Sequence, residues 1–139
     1  MRFLLLFLLT LLGTAAMTQD SWKVCFDKKN LLETSEENEE KNLLKISAAD
    51  LKKYKSFIIS YTETEPQKGW RRTIAIYDTN DKELSKQTGN KLTLKSSTVK
   101  NLLQTSKTLK IYTVSLPTDP NLAAQIRVRR VHLCTLVLE

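Results

Sequence analysis

The segment that most restricts this chain is its last, Gln125 to Glu139. Ile126, Val128, Val131, Leu133, Leu136, Val137 and Leu138 make a β-branched and leucine-rich run with no helix-favouring Ala, Glu or Gln inside it. Such a run predicts a long strand buried near the middle of a sheet. It carries the only histidine, His132, one of two cysteines, Cys134, and the arginines Arg127, Arg129 and Arg130. A chain ending this way must build a β core around that strand.

The amino terminus has a different character. Arg2 precedes an apolar stretch from Phe3 to Leu12, broken only by Thr10, and Gly13-Thr14-Ala15-Ala16 offers small residues for cleavage. This is the pattern of a secretory signal peptide over residues 1–18, removed after Ala16 or Thr18. The apolar stretch is too short to span a bilayer and no second one follows, so no transmembrane segment is expected after cleavage. Residues 19–139 are then one domain, secreted or periplasmic, large enough for one core. Abundant Lys and Asn with few Gly favour a bacterial origin.

Export gives the cysteines meaning. Cys25 falls in the first predicted strand and Cys134 in the last, and two cysteines in an oxidising compartment suggest a disulfide. That bridge would close a loop of about 110 residues and contribute about 4–5 kcal/mol in the chain-entropy picture.

Between these ends, strands are expected at Trp22–Phe26, Leu43–Ile46, Ser56–Thr62, Trp70–Tyr77, around Leu92 and Leu94, and at Thr108–Leu116. Each shows apolar alternation or a short β-rich run bounded by turn residues. With the final strand they number seven. Ser47-Ala48-Ala49-Asp50 has the spacing of a capping box and opens a short helix, and Ser96 or Ser97 is placed to cap a second. Lys28 to Asn42, with glutamates at 33, 36, 37, 39 and 40, reads as a mobile acidic loop.

The halves of the chain resemble one another. Phe26-Asp27 matches Tyr77-Asp78, and Tyr61-Thr62 before Pro66 matches Tyr112-Thr113 before Pro117, both at an offset of 51. On this alignment Cys25, Ile76 and Cys134 are equivalent. A duplicated unit of strand, turn, strand, helix and strand follows. The expected fold is all-β, a seven-stranded β-sandwich with two short helices; the alternative is an α+β sheet with both helices on one face.

Most catalytic chemistry lacks its residues. One histidine precludes a His₂ or His₃ metal site, two distant cysteines cannot build a zinc cluster, and three glycines leave no phosphate-cradling loop. No metal or cofactor is therefore expected, and the chain reads as non-enzymatic. A small hydrolase would have to rely on an exposed His132, and no hydroxyl or thiol is tied to it by a recognised spacing. Asp78 to Glu83 fails as a calcium loop because Lys82 stands where an oxygen ligand belongs.

Charge is the positive signal. Residues 19–40 balance at −4 and residues 41–139 at +10. Trp70, Arg71, Arg72, Arg127, Arg129 and Arg130 lie at or inside strands, where guanidinium groups can make bidentate contacts to phosphate, sulfate or carboxylate. The first functional reading is a binding or interaction module for an unknown protein, using sheet edges and the loop residues Thr118, Asp119 and Asn121. The alternative is an arginine patch that binds acidic glycan or lipid headgroups. Nucleic acid is disfavoured, since aromatics interleaved with the basic residues are few.

Overall fold

The computed structural model describes residues 19–139; the signal-peptide reading of residues 1–18 lies outside them. Among the described residues nine strands form two sheets. In chain order the elements are β1 (Ser21–Phe26), β2 (Lys29–Thr34), β3 (Leu43–Ile46), α1 (Ala48–Lys53), β4 (Ser56–Thr62), β5 (Trp70–Tyr77), β6 (Glu83–Thr88), β7 (Lys91–Lys95), α2 (Ser96–Ser106), β8 (Thr108–Pro117), α3 (Pro120–Gln125) and β9 (Val131–Leu138). One sheet runs β2-β1-β4-β7 and the other β3-β9-β8-β5-β6. Among the described residues only β3 and β9 pair in parallel.

Alternation in the sequence becomes the inner face of each sheet. Trp22, Val24 and Phe26 from β1 are buried, as are Phe57, Ile59 and Tyr61 from β4. Ile74 and Ile76 from β5, Leu109 and Ile111 from β8, and Leu133, Cys134 and Leu136 from β9 complete one shared core. Burial of each large aliphatic side chain contributes about 1.5–3 kcal/mol.

The structure has nine strands where seven are expected, and β2 and β6 are the two additions. Both are second strands of hairpins at sheet edges and carry few fully apolar positions, so hydrophobic patterning does not reveal them. β2 also overturns the mobile acidic loop. After β2 the chain makes an ordered turn: Asn38 Oδ1 accepts from the backbone N–H groups of Glu40 and Lys41, at 3.1 and 3.0 Å. Asn42 is buried, donates through Nδ2 to the Glu36 carbonyl, and accepts from the Thr135 N–H of β9.

There are three helices where two are expected. The first is capped as its spacing predicts, with Ser47 Oγ accepting from Asp50 N–H. The second is not capped by Ser96 or Ser97: Lys95 holds the cap position and makes no side-chain bond. The third stands in the predicted loop, with Asp119 as its cap and Pro120 in its first turn, where the missing N–H costs nothing.

The carboxy-terminal run is an interior strand, between β3 and β8, but it is shorter than predicted. Gln125 ends α3, residues 126–130 leave the sheet, and pairing begins at Val131. A bulge interrupts it. Ile111 faces Cys134 while Tyr112 faces His132, so Leu133 has no partner in β8. The free Leu133 carbonyl accepts from the Trp22 indole N–H at 2.9 Å, joining the first strand to the last.

That hydrogen bond takes the place of the expected disulfide, since both cysteines are free thiols. In β1 the inward positions are Trp22, Val24 and Phe26, so Cys25 alternates onto the outer face. Cys134 points into the core, where burial pushes its thiol pKa up. The predicted equivalence of Cys25 with Ile76 and Cys134 therefore fails in its first member. Native protein treated with a thiol reagent should label at Cys25 only, with Cys134 reacting after denaturation. The melting midpoint should be the same with and without reductant; a reductant-sensitive midpoint would contradict this arrangement.

Candidate ligand cleft

Beyond the end of the core, at the carboxy-terminal end of β4, lies a cleft of about 310 Å³. Its walls come from Asp20, the β4 end and following loop (Tyr61, Glu63, Glu65), the start of β5 (Trp70, Arg72), Thr113 and Ser115 of β8, and Val128, Arg129 and Val131. Arg72 shares the inward parity of Ile74 and Ile76 but sits past the last apolar layer, so a cation is carried into the space between the sheets.

Its charge is closely matched. Arg72 Nε lies 2.7 Å from Glu63 Oε1, with side chains only 10% and 17% exposed. Nη1 donates to Thr113 Oγ1 at 3.1 Å, and that hydroxyl donates to the Thr73 carbonyl at 3.0 Å. The guanidinium lies 3.9 Å over the Tyr61 ring, which stacks at 5° on Trp22. Tyr61 OH donates to Asp20 Oδ2 at 2.9 Å, while Asp20 Oδ1 accepts from the N–H and hydroxyl of Thr64. Burial first, and the bond to Asp20 second, push the Tyr61 pKa up to about 12. Burial works against ionisation of Asp20, but the bonds from Thr64 and Tyr61 and the Arg72 charge outweigh it and hold this carboxyl below its usual range. The cleft is thus lined by fixed polar groups whose orientation is already set.

The arginines do not gather into one patch. Arg71 and Arg72 are neighbours on a strand and take opposite faces. Arg72 and Trp70 enter the cleft, whereas Arg71 is exposed outside it. Arg129 lines the cleft and pairs with Glu37 at 2.8 Å. Arg130 stacks on Tyr112 and Tyr77 at 3.9 and 4.8 Å from their ring centres and pairs with Asp81 at 2.7 Å. Arg127 is exposed. Three of the five are therefore held by carboxylates, which removes much of their attraction for an outside anion.

The loop residues have divided roles. Thr118 donates through both N–H and hydroxyl to the Gly69 carbonyl, which locks this loop to the start of β5. Gly69 has a φ of +81°, a conformation that favours glycine. Asp119 is occupied in capping α3, and Asn121 is exposed. Beside them Leu116 and Leu122 are 40% and 44% exposed.

His132 lies elsewhere, 1% exposed, with Nε2 2.7 Å from Thr135 Oγ1 and Nδ1 without a partner. The exposed histidine that the hydrolase alternative requires is absent. Among the described residues no cluster of three His, Cys, Asp or Glu side chains is placed to hold a metal ion. A scan of the chain against protein-family models finds no match, and a search of curated proteins finds none either.

Asp20, Tyr61, Thr113 and Ser115 are cleft residues that sequence patterning does not assign to a site. Tyr61 and Thr113 carried a signal as the residues matched between the halves, at Tyr61-Thr62 and Tyr112-Thr113, but periodicity assigns them only to strands. Glu63 and Glu65 stand in the turn before Trp70, where spacing alone marks no carboxylate pair.

Two measurements check this site. Arg72→Met should lower unfolding stability by about 2–3 kcal/mol, because it strands Glu63 in a partly desolvated place, and adding Glu63→Gln should restore part of the loss. Burial holds the His132 pKa below its ordinary value, against the opposing charges of Glu39 and Glu37. The unfolded chain therefore binds the extra proton, and stability present above about pH 6.5 should decline as the pH falls below it. Chemical denaturation from pH 7.5 to 5 should show that slope, flattened in His132→Gln.

Proposed function

We propose that this chain is an exported, non-enzymatic binding module, a β-sandwich of two related halves, that engages a partner protein through the cleft and the surface beside it. The cleft carries the reading, because its Arg72–Glu63–Thr113 and Tyr61–Asp20 networks fix polar groups before any partner arrives, which reduces the ordering cost of binding. Leu116 lies beside Trp70, since Trp70 pairs with Pro117 and Arg71 with Leu116, and the exposed helix α3, which carries Leu122, follows Pro117 in the chain. An anchor aromatic, exposed aliphatics and a polar rim are the composition of a protein-binding surface.

The topology supports the two-halves reading. β2-β1-β4 in one sheet and β6-β5-β8 in the other share the same antiparallel order, and each half continues hairpin, strand, helix, strand. Export rests on residues 1–18 of the sequence alone. The arginine-patch alternative is weakened by the carboxylate partners of Arg72, Arg129 and Arg130.

The test is crosslinking in the native cell envelope with wild-type protein and with Trp70→Ala/Leu122→Asp, both checked for folding. Wild type should capture a defined partner, and the double variant should retain about a tenth of it or less. Equal capture by both would reject this surface as the binding face.

A further inference from the structure

A cluster of lysines without carboxylate partners lies at the opposite end of β4. Between α1 and α2 a groove of about 520 Å³ is lined by Lys52, Lys55, Lys95 and Lys100 together with Ser96 and Ser97. No carboxylate lines it, and none of the four lysines has a carboxylate within ion-pair distance among the described residues. Asp27, which reaches this end, is occupied by the backbone N–H groups of Lys55 and Ser56 at 3.0 Å each. Here lysines, not arginines, stay available.

The start of α2 adds directional donors. This eleven-residue helix has no side-chain cap and no acidic residue in its first turn. Its Ser96 N–H is taken by the Lys55 carbonyl at 2.9 Å, which leaves the following first-turn N–H groups, at Ser97 and Thr98, without an intrahelical acceptor. An anion there meets both those donors and the positive end of the helix dipole. Independently, Ser96 is 2% exposed and its Oγ has no hydrogen-bond partner. A hydroxyl buried unsatisfied destabilises the fold, and Ala at that position would avoid the cost. A hydroxyl retained in the floor of a basic groove fits a ligand oxygen that it would bond.

We propose that this groove binds a tetrahedral oxyanion, a sulfate or phosphate group carried as an ester on a glycan. The serines and helix N–H groups receive the anion's oxygens, and the lysines surround it with charge. A groove this much larger than one inorganic ion has room for the sugar that bears it, and the Tyr54 ring, flanked by Lys29 and Lys53 at 5.6 and 5.4 Å, offers an apolar wall. The proposal does not depend on the cleft at the other end.

Calorimetric titration of the folded protein at constant ionic strength tests it, with N-acetylglucosamine 6-sulfate and 6-phosphate, unsubstituted N-acetylglucosamine, inorganic sulfate and phosphate, and phosphatidylglycerol vesicles as probes. The ester sugars should bind more tightly than the inorganic ions, and the unsubstituted sugar should not bind. Lys52→Ala/Lys100→Ala should weaken ester binding about tenfold or more. Ser96→Ala should weaken it while leaving the melting midpoint unchanged or higher, a combination that a merely structural serine would not produce. Lys23→Ala/Lys91→Ala, which removes the same charge from exposed positions outside the groove, should change affinity by less than about twofold. Binding of vesicles but not of ester sugars overturns the proposal, as do equal losses in both lysine pairs or unaltered binding in Ser96→Ala.

Discussion

The hydrogen bond from the Trp22 indole to the Leu133 carbonyl is the contact on which the rest of this architecture depends. It exists because the bulge in β9 leaves one carbonyl out of the ladder and turns it toward the other sheet. A typical hydrogen bond contributes only about 1 kcal/mol net, but a buried indole N–H and a buried carbonyl left without partners would cost about 1–3 kcal/mol each. The pairing therefore fixes how the two inner faces meet. It also sets the cleft, since Trp22 holds the Tyr61 ring, Tyr61 holds Arg72 from below, and Arg72 binds Glu63 and Thr113.

Charge is sorted by side-chain type. The planar guanidinium groups of Arg72, Arg129 and Arg130 are matched to carboxylates, and two of them also lie on aromatic rings. Part of the match comes from the acidic segment: Glu37, in the turn after β2, reaches Arg129 and holds its own carboxyl below the usual range mainly through that bond. Apart from Arg71 and Arg127, the excess positive charge of residues 41–139 is thereby left to lysines. Those around α1 and α2 stand where an uncapped helix end points the same way.

Sheet edges are managed by local devices. Gln87 of β6 donates through Nε2 to the Thr93 carbonyl and accepts from the Thr93 N–H, both at 2.9 Å, so one side chain spans the edges of β6 and β7 like a ladder step. At the other side the chain from β2 to β3 crosses between sheets through the turn anchored by Asn42.

Much of the fold was legible. Trp22–Phe26, Ser56–Thr62, Trp70–Tyr77 and Thr108–Leu116 announce their strands by alternation, and Ser47 announces its helix by its spacing from Asp50. Asp119-Pro120 was a readable helix start that the surrounding loop signals obscured. β2 and β6 were not readable, because an edge strand with solvent on its faces needs no apolar run. The amino-acid order by itself determined which residues of a strand share a face, since side chains alternate with period two. Only the tertiary structure decided which of those faces meets the core, because that depends on the partner strands and on where a bulge shifts the register. For that reason Cys25 and Cys134 stay apart, Arg71 and Arg72 face different surroundings, and the amino- and carboxy-terminal strands are joined by an indole and a carbonyl.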